Sequence, residues 1–296
     1  MAFGKAQQST DSAQIKRYIG VANVFVVDVN PSKERLEEIY GREFEKEPVY
    51  VNEVEIDGQK IPSVRFDFIV KADPEYKDQP DNFIQRVMIS LRKEYKKGSK
   101  SGKYQIIDKY GRTAWATKEE IDAKKIPMYA NGPANIDADY RVAYVGEEDL
   151  TNFIKEYLCI PSVEKWSNGK RVGLIDNPAD AEARFERLED YFKGDFSEIR
   201  EAIKILPDNK VKVLFGVRTT DEGRQYQSAY TRMFLKSRVS DYSKLDADVR
   251  AAQASGAMAN TEFKCVDLEE YTVESTNFAQ EVQDLPFEAP TSSPWG

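Results

Sequence analysis

Apolar and polar positions alternate or repeat along most of the chain, and the pattern predicts a strand-rich body. The run Val21-Ala22-Asn23-Val24-Phe25-Val26-Val27-Asp28-Val29 is β-branched and predicts a strand. Asn30-Pro31 then opens a helix through Tyr40, with proline in its first turn. Strands at 49–56 and 61–70 flank Asp57-Gly58, a hairpin signal. A second hairpin is predicted from 83–95 and 103–109 around the Lys/Gly/Ser-rich connection 96–102.

The middle changes period. Leu150, Phe153, Ile154, Tyr157 and Leu158 fall at helical spacing over 147–158. Asn177-Pro178 caps a helix that carries Phe185, Leu188 and Phe192 on one face and stops at Gly194. A further helix with Phe196, Ile199 and Ile203 on one side ends before Pro207. Strand signals return at 211–219 and 225–236 around Asp221-Glu222-Gly223, followed by a helix at 244–254 and a strand at 261–268. Read as one strand, 225–236 places Tyr226, Tyr230, Arg232 and Phe234 on one face, because successive side chains point oppositely. So aromatic a face implies a bound partner.

Hairpins interrupted by helices predict an α+β fold whose core is an antiparallel, β-rich, OB-like barrel with inserted helices. The expected organisation is a disordered N-terminus at 1–15, a nucleic-acid-binding body at 16–274 with a helical insertion around 147–206, and a disordered acidic tail at 275–296. The tail expectation rests on composition: 276–296 has three prolines, no basic residue and no periodicity.

Composition narrows the chemistry. The chain has no histidine, which removes Ser-His-Asp and Cys-His catalysis and histidine-ligated zinc. Cys159 and Cys265 are far apart and suggest neither a disulfide framework nor a metal site. No apolar run is long enough to span a bilayer and the start lacks a secretory h-region, so a cytoplasmic, non-catalytic protein without cofactor or metal is expected.

Charge is unevenly spread. The net charge is −8, yet 265–296 holds seven acids and no base, leaving residues 1–264 with 43 basic and 44 acidic side chains. Two stretches interleave cations with rings. The first contains Arg92, Lys93, Lys96, Lys97, Lys100, Lys103, Tyr104, Tyr110, Arg112 and Trp115; the second contains Arg218, Arg224, Tyr226, Tyr230 and Arg232. Cations hold phosphates and flat rings stack bases, so these are the candidate single-strand contacts. In the tail, Asp284-Leu285-Pro286-Phe287 and Trp295 place apolar side chains in an acidic, uncored segment, a candidate partner-binding element.

Asp284-Leu285-Pro286-Phe287 resembles the acidic, Pro-Phe-bearing tip of bacterial and phage single-stranded DNA-binding proteins, although nine residues follow the phenylalanine here. The body resembles crAss-like and related tailed-phage proteins described as single-stranded DNA-binding. The similar segments are Lys16-Arg17-Tyr18-Ile19-Gly20-Val21-Ala22, Ile107-Asp108-Lys109-Tyr110-Gly111-Arg112-Thr113-Ala114-Trp115 and Asn131-Gly132-Pro133-Ala134-Asn135-Ile136-Asp137. The resemblance implies strand binding in DNA replication or recombination, a tail that recruits replication or recombination partners, and competition between tail and DNA for one groove.

Enzyme patterns are weaker. Gly98-Ser99-Lys100-Ser101-Gly102-Lys103 spaces its glycines one residue too closely for a phosphate loop, and Tyr104 stands where Ser or Thr would bind magnesium. Pro80-Asp81 with Glu94-Tyr95-Lys96 fits a magnesium-nuclease pattern, but Glu-x-Lys recurs at Glu75 and Glu262. A magnesium-dependent nuclease and a virion structural protein are the alternative readings.

Overall fold

The computed structural model describes residues 17–56, 58–73, 83–93, 95–96, 102–108, 110–124, 139–158, 163–167, 170–175, 188–200 and 210–273. In chain order, β1 (Arg17–Tyr18) and β2 (Gly20–Val29) lead into α1 (Lys33–Tyr40), and β3 (Val51–Ile56) and β4 (Gln59–Ala72) form the first hairpin. Then come β5 (Ile84–Lys93), β6 (Tyr95–Lys96), β7 (Lys103–Asp108), β8 (Thr113–Thr117), α2 (Lys118–Asp122), β9 (Tyr140–Val142) and β10 (Tyr144–Val145). Helix α3 (Glu147–Phe153) runs on as a π-helical turn, Ile154–Leu158, before β11 (Val163–Ser167), β12 (Lys170–Ile175) and α4 (Leu188–Tyr191). The last elements are β13 (Val211–Thr219), β14 (Gln225–Ala229), β15 (Leu235–Lys236), α5 (Ser243–Ala254), β16 (Thr261–Phe263) and β17 (Thr272–Val273).

The main sheet runs β10-β5-β4-β2-β13-β14, with β3 added to β4 and β15 and β16 added to β13. All its ladders are antiparallel. Long β4 serves two partners on one edge: Gln59 to Val64 pair with β3, and Phe68 to Ala72 pair with β2. The architecture is thus α+β and mostly antiparallel.

The expected barrel does not close. The sheet curls until β14 lies within 8 Å of β5 between Cα atoms, yet no ladder joins them. Helix α3 and its π-helical turn touch β5 on one side and β15 on the other.

Apolar alternation explains the two faces. Phe66, Phe68 and Val70 of β4, Val87, Ile89 and Leu91 of β5 and Val211, Val213 and Phe215 of β13 point into one core, where Leu150, Phe153, Ile154 and Tyr157 fill the interior. The Phe68 and Phe153 rings lie 4.2 Å apart. A bulge in β2 between Val26 and Asp28 shifts the alternation by one, so that Val26 and Val29 both reach this core. There the Val26 N–H donates to the Tyr157 hydroxyl, 3.0 Å away. On the opposite face α5 lays Leu245, Val249 and Ala252 over Val21, Leu214 and Phe263.

Helix α1 starts later than predicted. Ser32 is its cap, accepting from the Arg35 N–H. Asn30 is instead fully buried at φ 47°, with Nδ2 donating to the Arg65 carbonyl and Oδ1 accepting the Asp67 N–H. Beneath it Asp67 is paired with two guanidinium groups, Arg65 at 2.9 Å and Arg86 at 3.0 Å. No helix among the described residues is long and apolar enough to cross a membrane. The tail expected at 275–296 and the N-terminus expected at 1–15 lie outside the described residues.

Candidate nucleic-acid interface

The first basic-aromatic stretch folds into a small sheet of its own. Strand β5 passes directly into β6, which pairs with β7; β7 pairs in turn with β8 and β9. Its register separates two faces. Tyr104 and Ile106 of β7 lie opposite Ala116 and Ala114, and Tyr104 packs on Ile56 and Ile61 of the β3–β4 hairpin. Ile106 and Ala116 are fully buried, so this is the inner face.

The other face carries Lys103, Gln105 and Ile107 of β7, with Trp115 opposite Gln105 and Arg141 of β9 opposite Ile107. Lys103, Gln105, Ile107 and Trp115 are partly exposed, and Trp115 and Ile107 join none of the described apolar clusters. Lys96 is the cross-strand partner of Lys103. Tyr104, expected among the stacking rings, is therefore on the packed side, while Trp115 is on the outer one.

The β7–β8 turn is built around a buried carboxylate. Asp108 Oδ1 accepts the N–H groups of Tyr110 and Arg112, each at 2.9 Å, and Oδ2 accepts from Arg112 Nε at 2.6 Å. The Asp108 side chain is 0% exposed. Gly111, at φ 77°, lets its N–H reach back to the Asp108 carbonyl. The turn holds the Tyr110 ring 67% exposed, with the Arg112 guanidinium 5.0 Å from its centroid.

The second stretch breaks the sequence expectation. Strand β14 ends at Ala229, opposite Phe215, and β15 resumes at Leu235, opposite Lys212, so three steps along β13 face six along its partner. The intervening residues 230–234 form a bulge, which redirects the side chains. Tyr230 is 0% exposed under α5, and its hydroxyl donates to Asp248; Phe234 is buried in the main core. Tyr230 cannot stack a base without unfolding this region, because a flat aromatic face for bases does not exist along 225–236. Burial, with the Asp248 bond, pushes its phenol well above the ordinary tyrosine range.

Arg232 is likewise misplaced for phosphate. It lines a cleft of about 390 Å³ with Glu148, Asp149, Glu156 and Asp248, whose charges repel a polyanion. Burial raises the Asp149 carboxyl despite its bond from Thr231 Oγ1. Arg218 and Tyr226 are cross-strand partners, Arg218 exposed and Tyr226 partly so; Arg224 is exposed beside Glu222 at 3.4 Å.

The Arg218–Tyr226 hairpin and the small sheet lie toward opposite ends of β5. The Phe83 ring before β5 packs on Tyr18 and Phe215, beside the β13–β14 hairpin, whereas the small sheet follows Lys93 at the other end of β5. Strand β5 between these two ends is ten residues long, roughly 30 Å of strand. Several cations are also committed to carboxylates: Lys93 to Glu189 at 3.7 Å, Arg112 to Asp108, and Arg141 to Glu147 through two nitrogens. Arg92 is partly exposed at the β5–β10 ladder.

Lys97 and Lys100 lie outside the described residues, as do Asp284, Leu285, Pro286, Phe287 and Trp295, and Asp81 and Glu94 of the nuclease pattern. Sequence reasoning missed Gln105, Ile107 and Arg141, since β9 carries no strong strand signal and only the β7–β9 register brings Arg141 to this face. Comparison with protein-family models, with curated proteins and with solved structures returned no match.

Proposed function

We propose that the chain is a non-catalytic single-stranded DNA-binding protein and that the outer face of the β6–β9 sheet is its principal contact. The observation that carries this is one sheet face that brings the partly exposed Trp115 ring together with the cations Lys103 and Arg141. Beside it are Lys103, Gln105 and Ile107, and at the tip of the same hairpin the exposed Tyr110. Flat rings stack bases at about 1–3 kcal/mol each and tolerate any sequence. Arg218 and Tyr226, at the far end of β5, are a secondary contact for a longer strand.

The tail's role comes from the resemblance of Asp284-Leu285-Pro286-Phe287 to partner-recruiting tips, with replication or recombination proteins as the partners. Competition between fluorescent single-stranded and duplex oligonucleotides of equal length tests the assignment. Preference for the single strand supports it, and equal or weaker affinity refutes it.

A further inference from the structure

Arg141 of β9 stands opposite Ile107 on the outer face of the small sheet, and its guanidinium is held by a carboxylate. Nη1 donates to Glu147 Oε2 at 2.9 Å and Nη2 donates to Glu147 Oε1. A guanidinium takes two oxygens of a phosphate in the same two-pronged way. The prongs given to Glu147 are therefore withheld from a phosphate.

The backbone sets Glu147 in place. Tyr144 and Val145 of β10 pair with Lys93 and Arg92 of β5. Gly146, at φ 83°, then lies so close to β5 that a Cβ on it would stand 2.0 Å from the Ser90 carbonyl oxygen. Helix α3 begins on the next residue, Glu147 itself. The Glu147 side chain is 20% exposed and that of Arg141 53%, so the acid is the anchored half of the pair and the guanidinium the half that reaches solvent. Ion pairs this exposed are weak enough to exchange partners. We propose that Glu147 is an internal competitor for phosphate: it occupies the Arg141 fork in the free protein and yields it to a phosphodiester of the bound strand, which holds affinity down. This inference rests on the proposed single-strand binding.

The test titrates fluorescently labelled oligothymidine, from low to high salt, with the full wild-type chain, Glu147→Gln, Glu148→Gln, Arg141→Ala and the double variant Arg141→Ala/Glu147→Gln. Glu147→Gln keeps the side chain's shape and removes its charge. It is expected to bind about three- to fivefold tighter at low salt, with a log-log slope steeper by about 0.7, one further phosphate neutralised. Glu148 is the exposed next residue, and its change to Gln removes the same charge without touching the fork, so affinity should stay within about twofold of wild type. In the Arg141→Ala chain the added Glu147→Gln should alter affinity by less than about twofold. Reading one substitution with and without the fork separates loss of the contact from any effect of the substitution on folding. Unchanged or weaker binding by Glu147→Gln overturns the competitor role, and so does an equal gain from Glu148→Gln or a gain that survives in the Arg141→Ala chain. Failure of the wild-type chain and Glu147→Gln alike to bind the strand rejects the strand-binding reading itself.

Discussion

Asp108 and Arg112 hold each other across the β7–β8 turn, the guanidinium Nε donating to the carboxylate at 2.6 Å while the other carboxylate oxygen accepts two backbone N–H groups. The turn that presents Tyr110 is thus fixed by one buried acid. Asp108→Ala leaves those donors without their acceptor and is expected to lower the unfolding free energy by roughly 2–3 kcal/mol. Urea unfolding measures this, and single-strand affinity is expected to fall as the ring loses its fixed position.

Asp67 balances Arg65 and Arg86, with side-chain exposures of 2%, 11% and 12%. Burial pulls the Arg86 guanidinium below its usual range, and Asp67 is the main opposing influence. Asp67→Ala strands two desolvated cations and is expected to cost roughly 3–5 kcal/mol, read by thermal or urea unfolding. Strand affinity of the fraction that remains folded should be unchanged, since this cluster lies under α1 and away from Trp115.

Gly216 allows β16 to lie against β13. A Cβ there would stand 2.4 Å from the Glu262 carbonyl oxygen and 2.5 Å from the Phe263 ring. Gly216→Ala is expected to destabilise by roughly 1–3 kcal/mol through overpacking. Adding Phe263→Ala should not restore stability, because the backbone carbonyl still blocks the site; a double-mutant cycle in urea reads the outcome.

Burial pushes the Cys265 thiol up to about 11 from 9.0, with Asp246 adding to the shift and Arg250 opposing it. The folded chain keeps a proton that the unfolded chain releases, so this group's stabilising contribution is complete below about pH 9. It is lost as pH climbs through the folded value. In a Cys159→Ser background, iodoacetamide should react slowly with the native chain at pH 8 and accelerate up to about pH 11. A rate profile that saturates near pH 9 would show a solvent-like thiol.

Local signals carried much of this fold, and coupled ones did not. The run from Val21 to Val29 became β2, and Asp57-Gly58 joined β3 to β4, because β-branching and turn chemistry act over a few residues. The apolar spacing of Leu150 and Phe153 became α3, and 244–254 became α5 with one added residue. The bulge at 230–234 was invisible, since strict alternation reads straight through an insertion that only the partner strand reveals. It sent Tyr230 and Phe234 into two different cores. The candidate site was half legible: Trp115 and Tyr110 stood out as rings among cations, but Gln105 and Arg141 gain their place only from sheet register.

The most direct measurement is fluorescence anisotropy of a labelled oligothymidine titrated with the wild-type chain and with Trp115→Ala, from low to high salt. The account predicts a complex at low ionic strength that weakens linearly in log salt, with a slope near −0.7 per phosphate neutralised. It also predicts a loss of about tenfold in affinity for Trp115→Ala at every salt concentration. Absence of a complex with the wild-type chain at low salt, or unaltered affinity of the variant, would contradict it.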